Sequence, residues 1–291
     1  MKKEPSFLGH LLALFSVFVW GTTFIATKLL LKSFEPVDIL FYRFLIGYVM
    51  LWILYPHPLK LESRHEELLF LLSGASGVTI YFLCENFALT YTYASNVSII
   101  VATAPFLTGL LSYFISHEKL SQAFLAGFVL SMIGIVFITA NGSLTLHLNP
   151  LGDLLALGAS LCWAVYSIAT VSVHRPGCSS IAVTRRIFFY GLVTMLPAMY
   201  FCGYEWDPDA LLVPSSIGLL LFLGLVASGL CYITWNKALD LLGAVKASVY
   251  IYLVPVVTFV FSFFVLDERL TGMSLIGCAF ILAGLFLSER K

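Results

Sequence analysis

The chain has 291 residues, 60% of them hydrophobic and 11% charged, with 16 Lys and Arg balanced by 16 Asp and Glu. Soluble domains carry about 25% charged residues, so an ordinary soluble fold is excluded. Zero net charge without a basic cluster likewise argues against a nucleic-acid partner or a polybasic lipid-binding patch.

Lys2 and Lys3 precede an apolar run that begins at Phe7. The run is longer than a signal-peptide core and lacks an A-x-A cleavage site, so it is expected to remain as a first helix over 7–31. Apolar runs bounded by charges, Pro, Gly or Asn predict further helices over 36–55, 67–91, 94–116, 121–140, 151–173, 181–202, 214–239, 243–266 and 271–289. A spanning helix needs about 20 apolar residues, so ten of them consume this length and leave none for a separate soluble domain. The polar stretch from Asn141 to Pro150 is the natural midpoint. With both termini placed in the cytoplasm, ten Lys and Arg fall in inner segments. Three (Lys28, Lys32, Arg269) fall in outer segments, and Arg43, Arg185 and Arg186 lie within apolar runs. Positive charge is retained inside. The expected location is therefore a bacterial inner (cytoplasmic) membrane, crossed many times, with both termini cytoplasmic.

The chain repeats itself. At an offset of 143, Gly9 through Leu14 fall on Gly152 through Leu157, Trp20 on Trp163, Ile25-Ala26-Thr27 on Ile168-Ala169-Thr170, and Arg43 on Arg186. At an offset of 150, Asn86 falls on Asn236, Ala94, Ser98 and Pro105 on Ala244, Ser248 and Pro255, and Glu118, Gly127 and Gly134 on Glu268, Gly277 and Gly284. Shared Trp, Asn, Pro, Arg and Glu are not chance matches between apolar segments. The fold class expected is an all-α integral membrane protein of ten transmembrane helices, built as two five-helix repeats over 1–142 and 143–291. Five is odd, so the second repeat enters the membrane from the opposite side, the inverted plan of many secondary transporters.

Three stretches resemble the drug/metabolite transporter superfamily in its EamA-domain branch: Trp20-Gly21-Thr22-Thr23-Phe24 with Lys28, Pro36 followed by Arg43, and Ala88 through Pro105 to Glu118-Lys119-Leu120-Ser121. The second repeat keeps Trp163, Arg186 and the run from Ala238 through Pro255 to Thr271, but has Ala164 and Val171 where the first has Gly21 and Lys28. The resemblance implies a carrier of amino acids or other small metabolites with a central cavity lined by the first, third and fourth helices of each half.

Glu85 lies about 9 Å, and Arg43 about 10 Å, below the outer end of its predicted helix at about 1.5 Å per residue. A charge inside the bilayer costs about 2.5–3.5 kcal/mol at a helix centre, so these two are functional candidates. They can form an ion pair that staples two helices, or serve substrate or proton binding. The repeat places Trp235 opposite Glu85, so a carboxylate-linked step is asymmetric. Trp20, Tyr81, Glu85, Asn86, Trp163, Tyr166, Trp235 and Asn236 are the expected lining of an aromatic pocket suited to amino acids or organic cations. Each aromatic has packing as its other reading, and each amide has interhelical bonding. Pro105 and Pro255, near the middle of helices four and nine, read as kinks or hinges. Glu118 and Glu268 read as charges beside the N-caps Ser121 and Thr271, and Gly127, Gly134, Gly277 and Gly284 as close-packing faces. The six histidines are isolated, and no metal-ligand spacing, P-loop, GxSxG or dinucleotide fingerprint is present. The sequence reading is thus a non-enzymatic carrier without metal or cofactor, its partners a small-molecule substrate, the lipid bilayer and a coupling proton. Export of amino acids or similar metabolites leads, ahead of a sugar-phosphate or nucleotide-sugar exchanger and an intramembrane enzyme or sensor.

Overall fold

A computed structural model describes residues 7–59, 61, 63–91, 97, 100–117, 120–140, 149–174, 177–201, 211, 213–266 and 271–288. The described residues contain helices and no strand. In chain order these are α1 (Phe7–Leu30), α2 (Pro36–Leu54), α3 (64–91), α4 (Ala104–Ser116), α5 (Gln122–Ala140), α6 (Pro150–Val173), α7 (Ser180–Phe201), α8 (214–242), α9 (244–266) and α10 (Gly272–Ser288). Their ends fall within three residues of the sequence expectation, save the start of α4, before which much of 92–99 lies outside the described residues. By length and composition α1, α2, α3, α6, α7, α8 and α9 can each cross a membrane, and α4, α5 and α10 are shorter apolar helices. The outward faces carry large apolar side chains, with Ile53 76%, Leu154 66% and Phe201 82% exposed. Such a surface suits lipid, not water.

Polar residues start the helices where the sequence turns from polar to apolar. Glu35 and Asp38 form a capping box over the first turn of α2, which begins with Pro36. The Asn149 side chain accepts from the Leu151 and Gly152 amides ahead of α6, Ser121 from the Phe124 amide at 3.0 Å, and Thr271 from the Ser274 amide at 3.2 Å. Ser121 and Thr271 are thus the caps read from the sequence, while Glu118 and Glu268 lie outside the described residues. Gly243 separates α8 from α9 at φ 82°, a left-handed conformation that L side chains avoid.

Two departures from regular helix shape the centre of the molecule. α3 and α8 each widen into a π-helical segment, Ala75–Ile80 and Phe222–Leu230, which overlap when one repeat is laid on the other at the offset of 150. Pro105 and Pro255, read from the sequence as kinks or hinges, each follow an irregular turn. Pro105 opens α4 directly after a turn at Ala102 and Thr103. Pro255 follows a 3-10 turn, Val249–Tyr252, as the third residue of the α-helical part of α9. A proline lacks the amide hydrogen a continuing helix needs, and its ring clashes one turn back, which accounts for the irregular turn just ahead of each.

The halves interlock. α1 packs on α8 and α9, while α6 packs on α3 and α4. α5 and α10 run antiparallel at backbone contact. A Cβ on Gly127 would come within 2.5 Å of the Gly284 carbonyl and one on Gly134 within 2.5 Å of the Gly277 carbonyl, and the converse distances are 2.6 Å in both cases. Contact between Gly127 and Gly284 on one side, and between their repeat mates Gly277 and Gly134 on the other, is the pattern a two-fold relation generates.

Candidate binding cavity between the halves

Where the halves meet, α1, α2, α3, α4, α6, α8 and α9 enclose a cavity of about 70 Å³, several times the roughly 10–15 Å³ one water requires. Its wall consists of Trp20, Thr23, Arg43, Tyr81, Phe82, Glu85, Val101, Ala104, Trp163, Tyr232, Ile251 and Val254. The rings meet edge to face: Trp20 and Trp163 lie 5.3 Å apart at 87°, Trp20 and Tyr232 5.8 Å apart at 70°. This geometry places the positive ring edge of one on the negative face of the next.

The two π-helical segments hold this cage. Trp20 donates its indole N–H to the Ala227 carbonyl at 2.9 Å, and Tyr232 donates its hydroxyl to the Gly77 carbonyl at 2.8 Å. Ala227 and Gly77 are repeat mates, and each bond crosses from one half to the other. Gly77 must be glycine because a Cβ there would lie 2.2 Å from the Tyr166 ring. Trp163 is the mate of Trp20, but the carbonyl it would use by symmetry is taken by Tyr232. Its indole nitrogen is buried without an acceptor among the described residues, as is that of Trp235.

Two opposite charges share the wall. Arg43 is 4% exposed and Glu85 7%. Arg43 donates from Nε to the Ser228 hydroxyl at 2.9 Å, and its guanidinium carbon sits 4.6 Å from the centre of the Phe82 ring. Glu85 Oε2 is buried without a partner among the described residues. No direct ion pair joins Arg43 to Glu85 among the described residues.

Of the residues expected in the lining, Trp20, Tyr81, Glu85 and Trp163 stand in the wall, and Asn86, Tyr166, Trp235 and Asn236 do not. Asn236 is fully buried, accepts from the Tyr166 hydroxyl and donates to Thr184 Oγ1 at 2.9 Å, tying α8 to α6 and α7. Asn86 donates to the Pro36 carbonyl at 3.3 Å, tying α3 to the first turn of α2. Thr23 and Phe82 were not anticipated, although each lies three residues from an expected wall residue and hence on the same helix face. Arg185 closes the end of α2 through the Tyr55 and His57 carbonyls, and Arg186 pairs with Glu67. Of the three intramembrane arginines, Arg43 alone is in the wall.

The sequence pattern of the EamA-like transporter family matches the chain in two stretches, residues 7–140 and 150–290. The chain belongs to the EamA-like transporter family. A transporter of Archaeoglobus fulgidus, named as uncharacterized, is 29% identical over 97% of this chain and 97% of its own. A probable amino-acid metabolite efflux pump of Escherichia coli (strain K12) is 27% identical over 95% of this chain and 93% of its own. A chain of known crystal structure shares the fold with a TM-score of 0.79, 21% identity and coverage of 97% and 96%. EamA membership makes the protein a transporter, and its apolar helices make it a multi-pass membrane protein.

Proposed function

We propose that this EamA transporter is a secondary carrier that exports amino acids or similar small metabolites by alternating access. Its halves, 1–142 and 143–291, are inverted repeats that rock about the shared cavity, and both termini are cytoplasmic. The antiparallel contact of α5 with α10 and the two separate family matches support that architecture. The observation that carries the functional reading is a small aromatic-walled cavity holding one carboxylate and one guanidinium, between two halves that both contribute to it. The name of the Escherichia coli relative favours amino-acid metabolites as cargo. With about 2.3 kcal/mol per charge per 100 mV, one coupled proton drives appreciable extrusion.

Glu85 binds the cationic group of the cargo or the coupling proton. In proteoliposomes Glu85→Gln is expected to lower flux by at least about tenfold, the loss of one charge-assisted contact, and to flatten its dependence on pH. Wild-type flux with unchanged pH dependence would exclude the role. A sugar-phosphate or nucleotide-sugar exchanger is less well served, because Arg43 alone of the three intramembrane arginines stands in the wall and Glu85 stands beside it.

A further inference from the structure

Arg43 and Glu85 line one cavity, carry opposite charges and do not close on each other. Leaving two charges apart in a low-dielectric site forgoes an attraction that would offset part of their desolvation. The arginine is held back by its own neighbours. The Arg43 guanidinium is fixed through Nε by Ser228, a residue of the π-helical segment of the opposite half, and flanked by the Phe82 ring. Its two terminal nitrogens donate to no described atom, yet they are not among the buried unpartnered atoms, which leaves them open to the cavity. Glu85 has an oxygen, Oε2, buried without a partner among the described residues. The wall therefore offers a planar fork of N–H donors and, apart from it, a carboxylate acceptor.

We propose that Arg43, positioned by Ser228, receives the carboxylate of a small zwitterionic cargo while Glu85 receives its ammonium. A guanidinium edge matches a carboxylate with two parallel bonds. A simple amine leaves Arg43 unmatched, a simple acid leaves Glu85 unmatched, and a phosphate dianion brings two charges to one arginine against the Glu85 charge. The cavity of about 70 Å³ exceeds what one water needs and admits a small solute. The inference rests on the carrier reading and assigns the two ends of the cargo to two residues, with Ser228 as a positioning residue.

The test uses the purified full-length protein. Thermal shift is read against each of the common amino acids, and for any that stabilises, against the matched amine and the matched acid. The expected result is a zwitterion that binds at least about tenfold more tightly than either analogue, the scale of one lost charge-assisted contact. Arg43→Lys, which keeps the charge but removes the fork, is expected to weaken the zwitterion by about tenfold or more. Ser228→Ala deletes a single hydroxyl and serves if the lysine variant does not fold. It is expected to weaken the zwitterion by about three- to tenfold with little effect on the matched amine. That narrowing of selectivity is something a merely structural role would not produce. Equal binding of an amine or acid, unchanged selectivity in both variants, or stabilisation by no zwitterion overturns the assignment. Vesicles loaded with mixed amines, organic acids, sugar phosphates and amino acids separate the two readings. Efflux of a solute that is not a zwitterion leaves the carrier standing and this inference fallen, and efflux of nothing removes the carrier.

Discussion

Trp20 and Trp163 are repeat mates, yet Trp20 has a backbone acceptor and Trp163 has none among the described residues. Trp20→Phe deletes the bond to the Ala227 carbonyl, which costs about 0.5–1.5 kcal/mol beyond the loss of ring area. Trp163→Phe loses area alone. Thermal unfolding in detergent is therefore expected to show the larger drop for Trp20→Phe, and equal drops would refute the distinction. His174, just past the end of α6, makes a second case. Its Nδ1–H donates to the Thr170 carbonyl at 2.8 Å, and its Nε2 is buried without a partner among the described residues. Burial holds this imidazole below the ordinary histidine range, against the Thr170 carbonyl and Asp240, which favour the charged form, and with Lys237, which opposes it. The unfolded chain then binds the proton more readily. This contribution to stability is fully present above about pH 6.5 and is lost as pH falls through the lower folded value. The melting temperature is expected to decline from about pH 7 to pH 5, less steeply in His174→Gln, and identical slopes would dismiss the contribution. At this scale the sequence announced Glu85 and Arg43 by the cost of charge in an apolar run. It could not announce Ser228, since a serine 185 residues away gives no sign of the arginine it holds.

Helix ends were legible because the residues that cap them are also the ones that interrupt apolar runs: Glu35 with Pro36, Ser121, Asn149 and Thr271. The π-helical segments were not. Ala75–Ile80 and Phe222–Leu230 use ordinary small and aliphatic residues, and no composition distinguishes a widened turn inside a buried helix from a regular one. The glycines of α5 and α10 form the packing face that their recurrence predicts, and the contact gives that face a magnitude. Gly134→Ala drives a Cβ toward the Gly277 carbonyl, which cannot yield as a side-chain tip can, so the helices must separate. A loss of about 1–3 kcal/mol is expected from such overpacking. Gly218, on α8, has nothing within 4 Å of an added Cβ, and Gly218→Ala is expected to gain up to about 1 kcal/mol through helix propensity. Paired denaturation measurements check both signs.

Across the whole molecule the repeat was the strongest signal in the sequence, carried by residues too distinctive to coincide. The family pattern matches residues 7–140 and 150–290. Single cysteines at Gln122 and at Gly272, in a background without other reactive thiols, are expected to react with impermeant maleimide from opposite faces of the membrane, because α5 and α10 start at opposite ends of their contact. Labelling of both from one face would dismantle the inverted arrangement. What the repeat concealed is how far the copies have diverged in use: Asn86 and Asn236 tie equivalent helices, α3 to α2 and α8 to α7, but Asn236 also accepts from Tyr166 of α6, and Arg186 pairs with Glu67 while Arg43 faces the cavity.

The carboxylate of Glu85 has an indole, that of Trp235, as its counterpart in the other copy. Were the copies chemically identical, the outward and homeward swings of the molecule would climb the same barrier. Under the proposed alternating access, acid on one flank and an aromatic ring on the other would make the swings climb different ones. Such a carrier would rectify: equal and opposite gradients would reach the same equilibrium, but at unequal speeds.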